Sequence, residues 1–303
     1  MRLRPWILAF IMLGACTAVL ALFERHRQGR DFSDRALLAH MPEQEGATVF
    51  LNIGALRQSG LLDAIAGKRD EEEPEYQAFV RETGFNYRDD LDAVLAHFAI
   101  DFNIFILRGR FSWQQIGGHM RANGGQCLNG VCWMQVARGR YVSALPLSAN
   151  VVAIGTGGHR NVVYSALPLR TNAIPTLPSE PLWAELSEDF LKNPSRLPDG
   201  TRSFVTALQG ARSVFLSAGP SQGGLQAHLR AAFATPKEAL ERKEMLEQAT
   251  ALLQKFFDRD RQKPSESQLA TMLTAGKFEQ NQDLLLGHWP LERTFFEHVV
   301  SGN

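Results

Sequence analysis

Short apolar runs bounded by polar and turn residues predict the strands of this chain. Successive side chains of a strand point to opposite faces of its sheet, so a half-buried strand shows apolar and polar positions in alternation. The run at 223–235 alternates in this way and is predicted as the hairpin partner of the run at 211–219. The predicted strands cover residues 47–53, 98–111, 140–148, 150–157, 211–219 and 223–235, and a strand pair is predicted within 270–289.

Apolar residues spaced three and four apart predict helices between these strands. Ser112 is a candidate N-cap, and Asp89 or Asp90 is a candidate cap for the segment 88–98. Thr235, Pro236 and Glu238 form a strong start signal, because a hydroxyl N-cap, a proline at the first position and a glutamate at the third favour a helix. The predicted helices cover residues 54–67, 74–84, 88–98, 112–125, 158–167, 236–258 and 290–300.

This order of elements predicts an α+β fold, with two mixed blocks of antiparallel-rich sheet packed with helices. We expect the first block at 31–170 and the second at 201–303. Residues 171–200 contain five prolines and few periodic apolar positions. That composition is typical of a connection on the protein surface.

Residues 127–132, with the sequence CLNGVC, predict a tight hairpin. Asn129-Gly130 favours a type I′ turn, which places Cys127 opposite Cys132 at a distance that a disulfide can span. Two free thiols are the alternative. A structural zinc site needs about four ligands, and no second pair of Cys or His residues stands at ligand spacing. We predict the disulfide.

The N-terminus predicts a membrane anchor. Residues 5–23 carry no charge, and 19 helical residues span about 28 Å, close to the hydrocarbon thickness of a bilayer. Residues 13–16, LGAC, resemble a lipobox, so a lipoprotein lipidated at Cys16 is one alternative and a buried core helix is another. Because disulfides persist in oxidising compartments, we expect a single-pass signal anchor within residues 1–30 and a body on the periplasmic side of the cytoplasmic membrane.

Composition narrows the class of protein. Hydrophobic residues make up 45% and charged residues 21% of the chain, as in ordinary globular proteins. Lys+Arg and Asp+Glu are both 32, whereas a nucleic-acid binder would be expected to carry a basic excess. We therefore expect no nucleic-acid partner. The mixed-charge run at 68–75 is typical of a solvated loop.

Ser221 lies in the pattern G-x-S-x-G after a predicted strand. In a serine hydrolase it would be the nucleophile, with His228, His288 or His298 as the base. However, Pro220 precedes the serine, and the residues after it alternate like a strand, whereas a nucleophile elbow leads into a helix. The alternative, ordinary turn composition, fits these residues better.

Two further patterns are weak candidates for an anion site and a calcium site. Residues 155–158, GTGG, could hold an anion with help from Arg160, but a tight strand-to-helix turn explains them better. Asp89, Asp90 and Asp92 lack the spacing of a calcium loop, so capping and solvated positions are the better interpretation. The histidines are scattered without metal-ligand spacing. We predict no metal, cofactor or catalytic residue.

Several segments together resemble an uncharacterised class of bacterial exported, membrane-anchored proteins. They are the N-terminal anchor, TVFLNIGALRQSGLL, FVRETGFNYRDDLDAV, FILRGRFSW, VVAIGTGGHRNVVYSAL and the Thr-Pro-x-Glu helix start. The resemblance covers most of residues 40–300 and implies no activity. We therefore expect a membrane-tethered, non-catalytic protein that binds a partner or ligand in the envelope. The alternatives are an envelope hydrolase using Ser221 and a structural component of an envelope assembly.

Overall fold

The computed structural model describes residues 33–43, 46–66, 74–167, 176–192, 202–221, 224–260 and 273–291. The predicted anchor at 5–23, most of the mixed-charge run at 68–75 and most of the predicted last helix at 290–300 lie outside these residues. Within the described ranges, no helix has both the length and the apolar character needed to cross a membrane.

The protein is an α+β protein built on a large antiparallel sheet. Its twelve strands lie in the order β11-β12-β10-β9-β8-β1-β2-β3-β7-β6-β5-β4. One sheet therefore runs through both predicted blocks. The strands are β1 Ala47–Leu51, β2 Leu91–Phe98, β3 Phe102–Gly109, β4 Gln126–Leu128, β5 Val131–Ala137, β6 Arg140–Ser148, β7 Val151–Gly157, β8 Leu182–Leu186, β9 Ser213–Ser221, β10 Gly224–Ala232, β11 Lys277–Asn281 and β12 Leu284–Leu291.

Helices lie on both faces of the sheet. One face, called face A, packs against α2, α3, α6, α8 and α9. The other, called face B, packs against α1 and the 3-10 helix. The helices are α1 Asp34–Ala39, α2 Ile53–Gln58, α3 Leu61–Ala66, α4 Pro74–Thr83, α5 Tyr87–Asp90, α6 Trp113–Ala122, α7 Glu188–Lys192, α8 Arg202–Leu208, α9 Pro236–Asp260 and the 3-10 helix Val162–Ala166.

Several local predictions are confirmed. Asn129 and Gly130 both have positive φ, 51° and 81°, as the predicted type I′ turn requires. The Ser112 hydroxyl accepts a hydrogen bond from the Gln115 amide at 3.4 Å and caps α6. At the start of α9, the Thr235 hydroxyl accepts from the Glu238 amide, and the Glu238 carboxylate accepts from the Ala234 amide, each at 3.2 Å.

The prediction of a helix at 88–98 is wrong. Residues 91–98 form β2, in which Leu91, Ala93 and Leu95 are buried at alternate positions. β2 pairs with β1 on one side and β3 on the other. Only the single turn α5 precedes it, and its N-cap is Asn86 instead of Asp89 or Asp90.

Other elements differ in extent from their predictions. The segment 54–67 forms two short helices, α2 and α3, with Gly60 between them at φ 71°. Residues 158–167 contain a 3-10 helix where an α-helix was expected. The proline-rich segment 171–200 contains β8, which pairs with β1 and β9 in the interior of the sheet.

Candidate functional site

A cleft of about 620 Å³ opens on face B over strands β9 to β12. One wall is the segment 177–180, which leads into β8. Gly219 lets this wall approach the sheet, because a Cβ there would lie 2.9 Å from Pro181 Cδ and 3.3 Å from Glu180 Cβ. Any side chain at Gly219 would push the wall away from the cleft.

Six side chains on three neighbouring strands form the floor of the cleft. Directly paired residues of antiparallel strands point to the same face, and residues two apart on one strand do so as well. The register therefore brings together His228 and Arg230 of β10, His288 and Leu286 of β12, and Lys277 and Glu279 of β11. We call this set the floor grid.

The two histidines of the floor grid are direct cross-strand partners. Their ring centroids lie 5.5 Å apart, with the ring planes at 57°. His228 Nε2 lies 3.9 Å from Glu180 Oε1 on the wall. This distance suits an ion pair with a protonated imidazole but is long for a hydrogen bond.

Arg230 joins the floor of the cleft to its wall. Its guanidinium lies 4.9 Å from the ring centroid of Phe215, its cross-strand partner on β9. It also donates a hydrogen bond to the Thr176 carbonyl oxygen at 2.6 Å. The cation-π contact and the hydrogen bond together hold a permanent positive charge beside the histidine pair.

Ser217 carries a hydroxyl next to the histidine pair in the strand register. It is buried at 7% exposure, and its cross-strand partner is His228. A hydrolytic triad would need the carboxylate to orient the imidazole through a hydrogen bond, and Glu180 lies too far away at 3.9 Å. In the part of the chain that the structure describes, no group of three or more His, Cys, Asp or Glu side chains could hold a metal ion.

The structure places Ser221 at the end of β9. Ser221 pairs with Gly224, the first residue of β10, so the chain returns as an antiparallel partner strand. His228 pairs with Ser217, four residues before Ser221 on β9. His298 lies outside the described residues. Among the described residues, Ser221 therefore does not form a nucleophile elbow, and neither His228 nor His288 pairs with it.

Within residues 155–158, Gly155 and Gly157 have a packing role, whereas a Cβ at Gly158 would meet open space. A Cβ at Gly155 would lie 2.7 Å from the Val163 amide nitrogen, so the 3-10 helix rests directly on β7. The Ser143 hydroxyl accepts a hydrogen bond from the same amide at 3.1 Å. Arg160, the candidate anion partner, lies with its guanidinium carbon 5.3 Å from the centroid of the Trp133 ring.

Asp90 is held by a backbone amide and by an arginine. It accepts from the Asn86 amide at 2.9 Å and from Arg110 Nε and Nη2 at 3.0 and 2.8 Å. Burial alone raises the pKa of Asp90, but the hydrogen bonds from Asn86 and Arg110 outweigh burial and hold its pKa below the ordinary value. Asp90 thus belongs to a structural ion pair.

Cys127 and Cys132 are cross-strand partners of the β4–β5 hairpin, as the turn predicts. Their Sγ atoms lie 2.00 Å apart, at bonding distance. The pair packs under α6, where a Cβ at Gly117 would lie in ordinary contact with the Cys132 and Cys127 Sγ atoms, at 3.5 and 3.8 Å.

The sequence patterns did not indicate the cleft. The sequence gives Arg230 no role, and it offers His228 and His288 as possible bases for Ser221 without metal-ligand spacing. One signal was present: in residues 225–232, His228 and Arg230 share a face opposite to Leu225, Ala227 and Leu229. That alternation predicts three polar side chains, Gln226, His228 and Arg230, on one face of β10, but it says nothing of the neighbouring strands that complete the floor grid.

Comparisons with known proteins give little further information. No family model and no curated protein matches this chain. Two solved structures of a protein called TP0453 are similar to it. Crystal form I has a TM-score of 0.48 and 11% identity, covering 88% of this chain and 97% of that one. Crystal form IV has a TM-score of 0.44 and 10% identity, covering 88% and 95%. We base no argument on either likeness.

Proposed function

We propose that this chain is a membrane-tethered protein of the bacterial cell envelope, of the uncharacterised exported class that it resembles. Its body binds a ligand or partner and does not catalyse a reaction. The cleft on face B is the observation that supports ligand binding. It combines a concave shape, a volume of about 620 Å³ and a few convergent polar groups, which are the features of small-ligand sites.

Two features support a location outside the cytoplasm. Residues 5–23 are uncharged and long enough to span a bilayer as a helix. Cys127 and Cys132 lie at bonding distance, and disulfides persist in oxidising compartments. The anchor then crosses the cytoplasmic membrane once, with Arg2 and Arg4 inside and the body in the periplasm.

The positions of the two candidate serines favour binding over hydrolysis. Ser221 ends a strand that continues into its antiparallel partner, so no helix N-terminus stands behind its hydroxyl. Ser217 is buried beside His228, and the carboxylate of Glu180 lies 3.9 Å from that imidazole. Among the described residues, neither serine has both a base and a carboxylate hydrogen-bonded to that base, which activation would need.

A fusion experiment tests the location. A reporter enzyme that is active only outside the cytoplasm, joined after Asn303, should be active and should sediment with the membrane fraction. The intact mass should match the uncleaved chain. A soluble, cleaved product would contradict the anchor, and a lipid adduct on Cys16 would establish the lipoprotein alternative.

An activity probe tests the absence of catalysis. The full chain treated with a fluorophosphonate, which labels activated serines, should remain unlabelled. Ser217→Ala and Ser221→Ala are the matched variants. Stoichiometric labelling that disappears in either one would replace the binding proposal with an envelope hydrolase.

A further inference from the structure

We infer that the cleft on face B binds a small organic anion, with its acidic group over the histidine pair and Arg230 and its apolar body against the wall. This inference deepens the proposed function, because it assumes that the cleft is the binding site and names the chemistry of its ligand. It rests on the charges, the apolar surface and the spacing of the cleft side chains.

Basic groups dominate the floor grid. Four of its six side chains are basic: His228, Arg230, His288 and Lys277. The guanidinium of Arg230 has five N–H donors, and the Thr176 carbonyl takes one of them. Arg230 therefore keeps donors for a carboxylate or phosphate, which a guanidinium binds with two parallel hydrogen bonds.

The two carboxylates of the cleft already have basic neighbours. Glu180 lies 3.9 Å from His228 Nε2. Glu279 lies two residues from Lys277 on the same face of the edge strand β11. By contrast, no described carboxylate lies at ion-pair distance from Arg230 or His288, so an anion meets basic groups that are not already paired.

Apolar side chains stand beside these charges. Phe215 lies under the Arg230 guanidinium, Leu286 occupies the centre of the floor grid, and Leu177 and Pro178 belong to the wall. The volume of about 620 Å³ lies in the range of about 300–1,000 Å³ that holds small organic ligands. The cleft therefore fits an anion with an apolar body better than a bare inorganic ion.

The spacing of the two imidazoles links binding to protonation. Imidazoles change charge between about pH 5 and 8, and two like charges at a centroid distance of 5.5 Å repel each other. An anion placed between them offsets that repulsion. Glu180, Glu279, Lys277 and Arg230 also face the pair, but carboxylates, lysines and arginines ordinarily keep their charge over this pH range. Binding should therefore tighten as the pH falls from 8 to 6.

Isothermal titration calorimetry of the full chain, held in detergent micelles, tests this inference with two matched probes. The first is 2-naphthoate, which has an apolar ring system and a carboxylate, and the second is 2-naphthamide, its uncharged counterpart. We expect naphthoate to bind about tenfold more tightly than naphthamide at pH 6, the effect of one charge-assisted hydrogen bond. The difference should shrink at pH 8.

Substitutions in the cleft test which side chains bind naphthoate. Arg230→Gln should weaken naphthoate about tenfold and leave naphthamide unchanged, and His228→Gln combined with His288→Gln should remove the pH dependence. Lys277→Gln provides an independent test if Arg230→Gln alters the fold. Lys237→Gln on α9, whose side chain is 85% exposed, removes the same charge away from the cleft and should change nothing.

Equal affinity for the two probes would overturn the inference, and so would naphthoate binding that none of the cleft variants alters. Failure to detect naphthoate binding at pH 6 would overturn it as well. These outcomes differ from a failure of the proposed function, which would appear as fluorophosphonate labelling or as a soluble product in the fusion experiment.

Discussion

Face B of the sheet divides into a covered half and an open half, and one row of side chains crosses both. In the covered half the row contains Ala153, Ile106, Leu95, Phe50 and Trp183, and each is at most 2% exposed. In the open half the same row continues through Ser217, His228, His288 and Lys277. The row changes from apolar to polar side chains between β8 and β9.

The difference follows from what lies above each half. α1 and the 3-10 helix place Leu37, Leu38, Val162 and Val163 against the covered half. Behind the open half, α8 and α9 pack on face A. Above it, within the part of the chain that the structure describes, the wall segment 177–180 covers one side. The same backbone therefore supports a dry core in one half and a polar cleft in the other, since apolar side chains stabilise the fold only where a second layer removes them from water.

The largest expected effect comes from exchanging residues between the halves. Leu95→His should lower the free energy of unfolding by about 4 kcal/mol, because it removes buried apolar contacts and buries a polar ring. His228→Leu, at a side chain that is 41% exposed, should change it by less than about 1 kcal/mol. Urea denaturation of the full chain measures both. Similar losses would show that the two halves do not differ in burial as described.

Trp183 tests the boundary between the halves. Its ring lies 5.3 Å from the Phe50 centroid and 6.2 Å from that of Phe215 under the cleft. Trp183→Ala should cost about 3 kcal/mol, and Trp183→Phe, which keeps an aromatic ring, should cost less. The same denaturation experiment measures the loss. A cost below about 1 kcal/mol for the alanine variant would place Trp183 outside the core.

The cysteine pair lies on face A under α6, at the end of the sheet farthest from the cleft, and tests whether the two ends are independent. Replacing Cys127 and Cys132 together by alanine should lower stability by about 2 kcal/mol, since the bond closes a short loop. Dithiothreitol should lower the stability of the natural chain by a similar amount and should not affect the variant. Naphthoate affinity should stay unchanged, because β4 and β5 lie at the opposite end of the sheet from the cleft. Two alkylatable thiols in protein isolated from the envelope would contradict the disulfide.

The smallest expected effect is on how steeply the stability of the fold falls in acid. Hydrogen bonds from Asn86 and Arg110 hold the pKa of Asp90 below its ordinary value, so its stabilisation is present above about pH 4 and is lost as the pH falls through the lowered pKa. In Asp90→Asn, stability should therefore fall less steeply below about pH 4, as thermal unfolding at several pH values would show. An unchanged slope would contradict this role. The pH dependence of naphthoate binding between 6 and 8 should not change, because Asp90 lies away from the cleft.

Local signals in the sequence predict local structure well in this protein. The turn at Asn129-Gly130 and the helix starts at Ser112 and Thr235 all depend on residues within a few positions of one another. The φ preference of Asn-Gly and the hydrogen bonds of a cap do not need the rest of the fold. The alternation at 225–232 likewise predicts a strand and its pairing with the preceding run, without reference to the rest of the sheet.

Pairing between strands far apart in the chain decides the structure of β2 and β8, which these local signals do not predict. In β2, apolar residues at adjacent positions such as Val94 and Leu95 fit a helix as well as a strand, and the segment is a strand because β1 and β3 lie on either side of it. β8 is a five-residue strand in a proline-rich segment, and its neighbours β1 and β9 supply the hydrogen bonds that make it one.

The sequence by itself determined the α+β class, the cysteine hairpin, the caps at Ser112 and Thr235 and the expectation of an N-terminal anchor. Only the tertiary structure decided that one sheet passes through both blocks and that His228, Arg230, His288 and Lys277 meet on its open face. The physical reason is that a turn or cap is stabilised by contacts within a few residues. The cleft depends on the register of strands far apart in the chain, and on where a second layer of structure leaves the sheet uncovered.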